Sequence, residues 1–553
     1  MTTSATPGRA TAHTHLREVA PASPFTGLGG LLRLYARISR RQIIIWTLAM
    51  GLSVAGSVGA MKGVYPDQQS LDARAGLLAN PSAVMMTGPA FALDDYTFWA
   101  MVANELMLYV LIAAAIMSVL LTVRHTRAEE EAGRLELVRS LAVGRSSAPA
   151  AGLIVVAVAN LLVGAAVVVA LLATGGPLAS SCAMGLATTL TGLVFAAIAA
   201  VTAQLTEHAG GASGLALGTL ALAFMVRGIG DVLNAQGSWL SWFSPLAWAQ
   251  QTRVYVDLRW WPLAISVAVI VALLVLAGVL AQRRDVGAGL RPATPGPGDA
   301  SRVLLTPGGL ARRLVTPMMI AWAIGLFLFA VAFGTLADSL KDMISEIPTF
   351  GDLVPLDLED LTSSFAAYVL KMLALGPIGL LVAGILRLRS EEQQGRLSGI
   401  LLTGRSRTGT ALWWLLVVAL EVSAVQVLLG LGVGLGAGLA TGEAVWLADM
   451  TLAALAYLPA VALAGGLTMA LYGIRLRLAG AAWILVIWIA VDTYLGDLLG
   501  LPDALRGLSP LHHVPLVPDA DLDVAPLLVM SALAALLTVI GLLALRRRDL
   551  TTG

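Results

Sequence analysis

A chain of 553 residues would fill three or four ordinary soluble domains by length alone. Its composition excludes that: 58% of the residues are hydrophobic and 12% charged, about half the roughly 25% charge of a soluble domain. So few charges cannot cover a water-facing surface of this size, so the chain is integral to a membrane. The net charge of +1 gives no support to nucleic-acid binding. The single cysteine, Cys182, excludes an intrachain disulfide and any multi-cysteine metal or iron–sulfur site.

Residues 1–24 are rich in Thr, Ala and Pro, lack an apolar core, and read as a disordered tail rather than a signal peptide. Leu31, Leu32, Leu34, Tyr35 and Ile38 then interleave with Arg33, Arg37, Arg40 and Arg41, the pattern of a helix lying in the membrane interface. Apolar runs of about 20 residues are long enough to cross the hydrocarbon core. Twelve are expected, at 42–61, 99–123, 149–173, 182–205, 213–230, 260–281, 316–337, 365–386, 411–439, 448–472, 480–499 and 526–545. The run at 213–230 meets Arg227 and Asp231, and 411–439 is long and Gly-rich. The predicted fold class is an all-α polytopic membrane protein with twelve transmembrane helices.

Basic residues accumulate in cytoplasmic loops. With the N-terminus inside, the cytoplasmic segments hold 27 of the 35 lysines and arginines, and the outer segments hold six. Acids run the other way, with 18 of 34 outside, among them Asp338, Asp342, Glu346, Asp357, Glu359 and Asp360. Both termini are therefore expected in the cytoplasm.

The chain repeats itself. Glu129-Glu130-Glu131-Ala132-Gly133-Arg134-Leu135 recurs as Glu391-Glu392-Gln393-Gln394-Gly395-Arg396-Leu397, and Gly144-Arg145-Ser146 as Gly404-Arg405-Ser406. Ser244-Pro245-Leu246 recurs as Ser509-Pro510-Leu511, and Arg283-Arg284-Asp285 as Arg547-Arg548-Asp549. Four matches in one order at nearly one offset indicate a duplication. Each half holds six spans, an even number, so the halves share one orientation about an axis along the membrane normal. The expected division is a tail over 1–24, a first six-span repeat over 25–284, a second over 303–553, and between them a flexible Gly/Pro-rich linker, 285–302, with Pro292, Pro295, Gly296, Pro297 and Gly298.

The cytoplasmic loops 124–148 and 387–410 carry the first repeated motif. Ala128, Ala132, Leu135 and Val138 form one stripe of a helix. Glu130 with Arg134, and Glu392 with Arg396, stand four apart in the favourable order for an ion pair. Gly133 and Gly395 fall inside these helices, where Gly costs about 1 kcal/mol against Ala, so a bend or a close approach is expected there. A solvated amphipathic helix on the headgroups accounts for either segment alone. Recurrence after the second span of both halves points to a docking element.

An acidic-Gly-Arg-Leu segment between the second and third of six spans resembles the coupling region of ABC-2 type exporter permeases. The duplicated form, the Ser-Pro-Leu before each final span and the Arg-Arg-Asp endings resemble the actinobacterial exporters of polyketide antibiotics, the tetronasin-type multidrug permeases. The resemblance implies a transport subunit, not an enzyme, in the plasma membrane. It moves lipophilic, antibiotic-like compounds outward, with two copies of a separate ATPase as partners. ATP and Mg would be held by that partner and no cofactor by this chain. It also implies ATPase coupling through Glu129, Glu130, Gly133, Arg134, Glu391, Glu392, Gly395 and Arg396. Gln393 and Gln394 replace Glu131 and Ala132, and Gly399 replaces Leu137, so the two docking surfaces need not be equal. In agreement, the chain has no Gly-x-x-x-x-Gly-Lys-Ser/Thr phosphate loop, and none of its three lysines, Lys62, Lys341 and Lys371, follows a Gly in one.

Ionisable residues inside spans are functional candidates. Glu105 and Lys371 fall one helical turn apart on the repeat, and Arg227 and Asp492 at equivalent sites, all toward the outer leaflet in this topology. If the second and fifth spans meet their counterparts at the pseudo-twofold axis, as the resemblance implies, Glu105–Lys371 and Arg227–Asp492 pair across it. Otherwise each snorkels to the headgroups or bonds within its own half. Glu421, Asp449 and Asp497 have no obvious partner in the sequence. His512-His513 and Asp519-x-Asp521-x-Asp523 are weak metal candidates, the latter without the Gly and Glu of a calcium loop, and no metal site is expected. The tryptophans at 239, 242, 248, 260 and 261 read as interfacial anchors, and the Ser-Pro-Leu loops as candidate short re-entrant helices. The alternative function is a twelve-span secondary transporter of the major facilitator type, whose short Gly-x-x-x-Asp-Arg-type loop is absent. No paired carboxylate or Ser/His constellation supports a membrane enzyme.

Overall fold

The computed structural model describes residues 23–78, 81–89, 91–234, 236–284, 287–290, 298–306, 308–336, 361–496 and 501–549. The tail to residue 22, Lys341, the acids Asp338, Asp342, Glu346, Asp357, Glu359 and Asp360, Asp497, and linker residues 285–286 and 291–297 lie outside them. Every regular element among the described residues is helical. Hydrocarbon offers no partner for a backbone N–H or C=O, so a helix that satisfies its own is the economical way to cross it.

Among the described residues, eleven helices are long and apolar enough to cross a membrane. They match eleven of the twelve expected spans; the twelfth, at 480–499, is the shorter apolar helix Ala479–Tyr494. The interfacial helix expected ahead of the first span is not separate. It runs on into one helix, Leu28–Val64, of 37 residues, about 55 Å at 1.5 Å per residue. The span expected at 448–472 is jointed into Val445–Leu455 and Leu458–Ile474, with Pro459 in the first turn of the second piece, where its missing N–H breaks no helical bond.

The chain divides into two compact units. One is Met1–Met61 with Trp99–Thr294, the other Lys62–Phe98 with Pro295–Gly553. In the first unit, Gly164 of Ser147–Ala173 and Gly185 of Leu178–Leu205 face each other, and a Cβ on either would strike the other's carbonyl. Beside them, Ser118 donates to the Asn160 side chain at 3.0 Å and Thr189 to the Asn160 carbonyl at 3.2 Å. In the second unit, the Gly-rich run is one 35-residue helix, Arg407–Thr441. Gly430 and Gly434 meet the backbone of Met450 and Trp446 on one side. Gly432 and Gly436 meet Ala330 and Val331 on another. Small residues four apart let helix backbones approach where no hydrophobic effect drives them together.

Both Ser-Pro-Leu motifs open a helical turn, Pro245–Gln250 and Pro510–His513, each with a buried Ser at the N-cap and Pro first. Trp242 stacks on Trp261 at 5.2 Å, and the Trp248 indole donates to the Trp242 carbonyl at 2.7 Å.

Candidate functional site

The first motif is not one helix. It is two short ones, Arg127–Glu131 and Arg134–Arg139, broken at Gly133. The second copy runs from Leu375–Gln393 into Arg396–Leu401, broken at Gly395. Gly133 has φ +69° and Gly395 +73°, and nothing lies within 4 Å of where a Cβ would stand on either. A bend, not a close approach, therefore explains both glycines: left-handed backbone is strained for residues with a Cβ.

The break changes the ion pairs. Arg134 bonds Glu129, with Nε to Oε2 at 2.8 Å and Nη2 to Oε1 at 2.9 Å. Arg396 grips Glu391 in the same way, both bonds at 2.6 Å. The expected pairs Glu130–Arg134 and Glu392–Arg396 are thus displaced by one residue, because a left-handed turn between them ends the helical i, i+4 geometry. The hydrogen bond to Glu129 holds Arg134 protonated even above the usual guanidinium range.

Glu130 and Glu392 turn inward instead. Arg284 forks onto Glu130, Nη1 to Oε2 and Nη2 to Oε1, both at 2.8 Å, and its Nε donates to Gln204 at 2.7 Å. Arg127, buried at 1% exposure, donates to Glu130 at 2.8 Å and to the carbonyls of Gly287 and Ala288. In the second unit, Arg548 donates to Glu392 at 2.8 Å and lies over the Tyr472 ring at 5.3 Å, while the Tyr472 hydroxyl donates to the same carboxylate at 2.7 Å. In each half, one carboxylate of the motif is held by an arginine just past the last span. A polar side chain near the end of the fourth span, Gln204, bonds that arginine in the first half, and one near the end of the tenth, Tyr472, bonds the carboxylate itself in the second. A cavity of about 380 Å³, lined in part by Glu129, Glu130, Arg145, Gln204 and Arg284, borders the first cluster.

Two segments fasten the first motif that sequence reading left loose. Linker residues Gly287 and Ala288 are pinned by Arg127 and Arg284, and Leu290 N–H donates to the Gln204 carbonyl at 3.0 Å. Ser23–Thr26 lies against the repeated Gly-Arg-Ser loop. There Gly144 N–H donates to Thr26 O at 2.9 Å, Ser146 N–H to Pro24 O at 3.0 Å and Ser147 Oγ to Thr26 O at 2.7 Å. A side chain on Gly144 would strike the Pro24 backbone.

A family model described as "Multidrug efflux system permease Rv1217c, C-terminal domain" matches residues 28–283 and 304–546. The chain is also 36% identical over 538 residues, 95% of its length and 96% of the relative's, to the multidrug efflux system permease protein Rv1217c of Mycobacterium tuberculosis (strain ATCC 25618 / H37Rv). The chain belongs to this family of multidrug efflux permeases.

The permease places its other candidate residues as follows. Arg227 ion-pairs with Asp231 at 3.1 Å, with 0% and 1% of the side chains exposed, and Ser241 Oγ donates to Asp231 at 2.6 Å. Asp492, buried, is met by Arg506 at 3.3 Å. Each therefore has an ion-pair partner inside its own unit. Glu105 lies half-buried in the second span, and Lys371 in the last turn of Leu361–Leu373. Burial lowers the His512 pKa against the pull of nearby Asp492. Glu421 accepts from Thr316 at 2.6 Å. Asp519 accepts from Ser364, and Asp523 caps the last helix by accepting from Ala525 N–H, so both have structural work.

Arg284, Arg548 and Tyr472 as partners of the motif, and Gln204 as the partner of Arg284, were not found from sequence. The Arg-Arg-Asp endings were visible as a repeat, and their offset from one another nearly equals that of the glutamates they bind. That equality was the available signal.

Proposed function

We propose that the permease is the membrane-spanning subunit of an ATP-driven exporter of the ABC-2 type in the plasma membrane, with both termini and both motifs in the cytoplasm. Two copies of a separate ATPase, holding ATP and Mg, dock on the motifs and drive lipophilic, antibiotic-like compounds outward through the two halves. One observation carries this reading: the same bent, carboxylate-anchored motif recurs after the second span of each half, and bare leucines stand on or just after its second helix. Leu137 and Leu141 in the first copy are 72% and 66% exposed, and Leu402 in the second is 88% exposed. Large apolar side chains exposed beside a charged, rigidly held turn fit a protein groove better than water. No observation favours the secondary transporter.

The test is assembly. Leu137→Asp with Leu141→Asp, or Leu402→Asp alone, should each leave one ATPase per permease after co-purification, and all three together should leave none. The melting temperature should hardly move, because exposed substitutions typically stay within about 0.5 kcal/mol. Two ATPases per permease in every variant would overturn the assignment of these surfaces.

A further inference from the structure

Each motif is bent at glycine, and the first is set off from the second span by Thr126, whose backbone is non-helical. Covalent connection alone therefore does not fix where Arg127–Glu131 sits. What fixes it is the carboxylate cluster, which joins Glu130 to Arg284, 154 apart in the chain. In the second half Glu392 belongs to Leu375–Gln393, ahead of the bend, and its bond to Arg548, 156 apart, joins the end of that helix to the end of the last one. In both halves the arginine stands just past the last helix, Arg284 two residues after Gln282 and Arg548 directly after Arg547.

We propose that Arg284 and Arg548 are positioning residues that tie each motif to the last span of its own half. A displacement imposed on the motif then passes into the sixth and twelfth spans, and the first tie is the tighter of the two. The source of the displacement rests on the ATPase-driven reading above; the tie itself does not.

Glu392 is 2% exposed and Glu130 12%. Pulling either from its arginine strands a carboxylate in a place that water reaches poorly, the costly way to break a buried pair. Moving the last span along with the motif leaves every charge compensated. Charge-assisted bonds at these distances are short and strong, and packed helices shift as bodies rather than deform.

The two ties differ in chemistry. Glu130 receives a two-point fork from Arg284 and a further bond from Arg127, and the Arg284 Nε is taken by Gln204. Glu392 receives one bond from Arg548 and one from Tyr472. Its Oε1 and the Arg548 Nε have no hydrogen-bond partner among the described residues. A lysine can supply one bond and a charge but not a planar fork. It follows that Arg548→Lys should preserve the second tie, whereas Arg284→Lys should not preserve the first.

The test uses the full-length permease in lipid nanodiscs, with Cys182→Ser and spin labels at Thr403 beyond the second motif and Leu536 on the last span, both exposed. The distance between labels should be a single narrow distribution. It should stay narrow in Arg548→Lys and broaden or split in Arg548→Gln. Adding Glu392→Gln to Arg548→Gln should broaden it no further, since the carboxylate no longer needs a partner. In the complex, Arg548→Gln should reduce permease-stimulated ATP turnover roughly tenfold, the scale of coupling between contacting charges. Should Arg548→Gln fail to fold, the contrast between Arg284→Lys and Arg548→Lys, with labels at the equivalent sites of the first half, decides the matter. A distribution as narrow in Arg548→Gln as in the wild type, or equal behaviour of the two lysine variants, overturns the proposal. Because the distances are read without ATPase, failure to find any stimulation counts against the ATPase-driven reading and leaves the tie to be judged on the distances.

Discussion

Arg227→Met is expected to destabilise the permease severely, by about 3–5 kcal/mol, the usual loss when one partner of a buried ion pair is removed. The substitution leaves Asp231, 1% exposed, with a negative charge answered by the Ser241 hydroxyl at 2.6 Å and no longer by the guanidinium at 3.1 Å. Asp231→Leu alone should be comparably harmful for the opposite reason, a buried guanidinium deprived of its ion-pair partner. The double variant should recover most of the loss, because an apolar pair of similar volume removes both charges together. Thermal unfolding of the purified chain in detergent or nanodiscs reads all three. Losses that simply add in the double variant would show that the two charges are not energetically coupled. In sequence, Arg227 and Asp231 only weaken the case for a span; folded, they neutralise each other one helical turn apart.

Reversing the motif glutamates should produce the second large effect, and an unequal one. Glu130→Lys sets a third cation against Arg127 and Arg284, whose side chains are 1% and 8% exposed. Three positive groups with little access to water repel strongly and release the linker residues that Arg127 and Arg284 hold. Glu392→Lys faces Arg548 and the hydroxyl of Tyr472, and the new ammonium has a shorter list of enemies. Both reversals should reduce ATPase co-purification and export, with Glu130→Lys the worse by roughly tenfold, equivalent to about 1.4 kcal/mol of additional repulsion. Limited proteolysis of the linker should be accelerated in Glu130→Lys and not in Glu392→Lys. Equal sensitivity would mean that Arg127 and the linker contribute nothing to the first site.

Much of the scaffold was legible before folding because hydropathy acts locally. The runs at 149–173 and 526–545 correspond to helices Ser147–Ala173 and Val524–Arg547, since a span's own residues decide whether it is stable in hydrocarbon. The run at 480–499 came out short, as Ala479–Tyr494, and the first helix came out long because nothing between Leu34 and Ile44 interrupts it. The site was half legible. The price of Gly133 and Gly395 announced a special backbone, yet bend and close approach look alike in sequence, and only the empty space around each decides for the bend. The one-residue error in pairing Arg134 followed directly, since an i, i+4 rule presumes an unbroken helix. The partners Arg284 and Arg548 are set by tertiary packing across more than 150 residues, where local rules are silent.

Two separate ATPases are proposed to drive this chain. Native mass measurement of the affinity-purified complex, with the ATPase co-expressed, tests this directly when paired with ATP turnover of the same preparations. One permease with two ATPases is expected, with turnover stimulated in that complex and none from the permease alone. A permease that hydrolyses ATP without a partner, or that binds no ATPase at all, would contradict it.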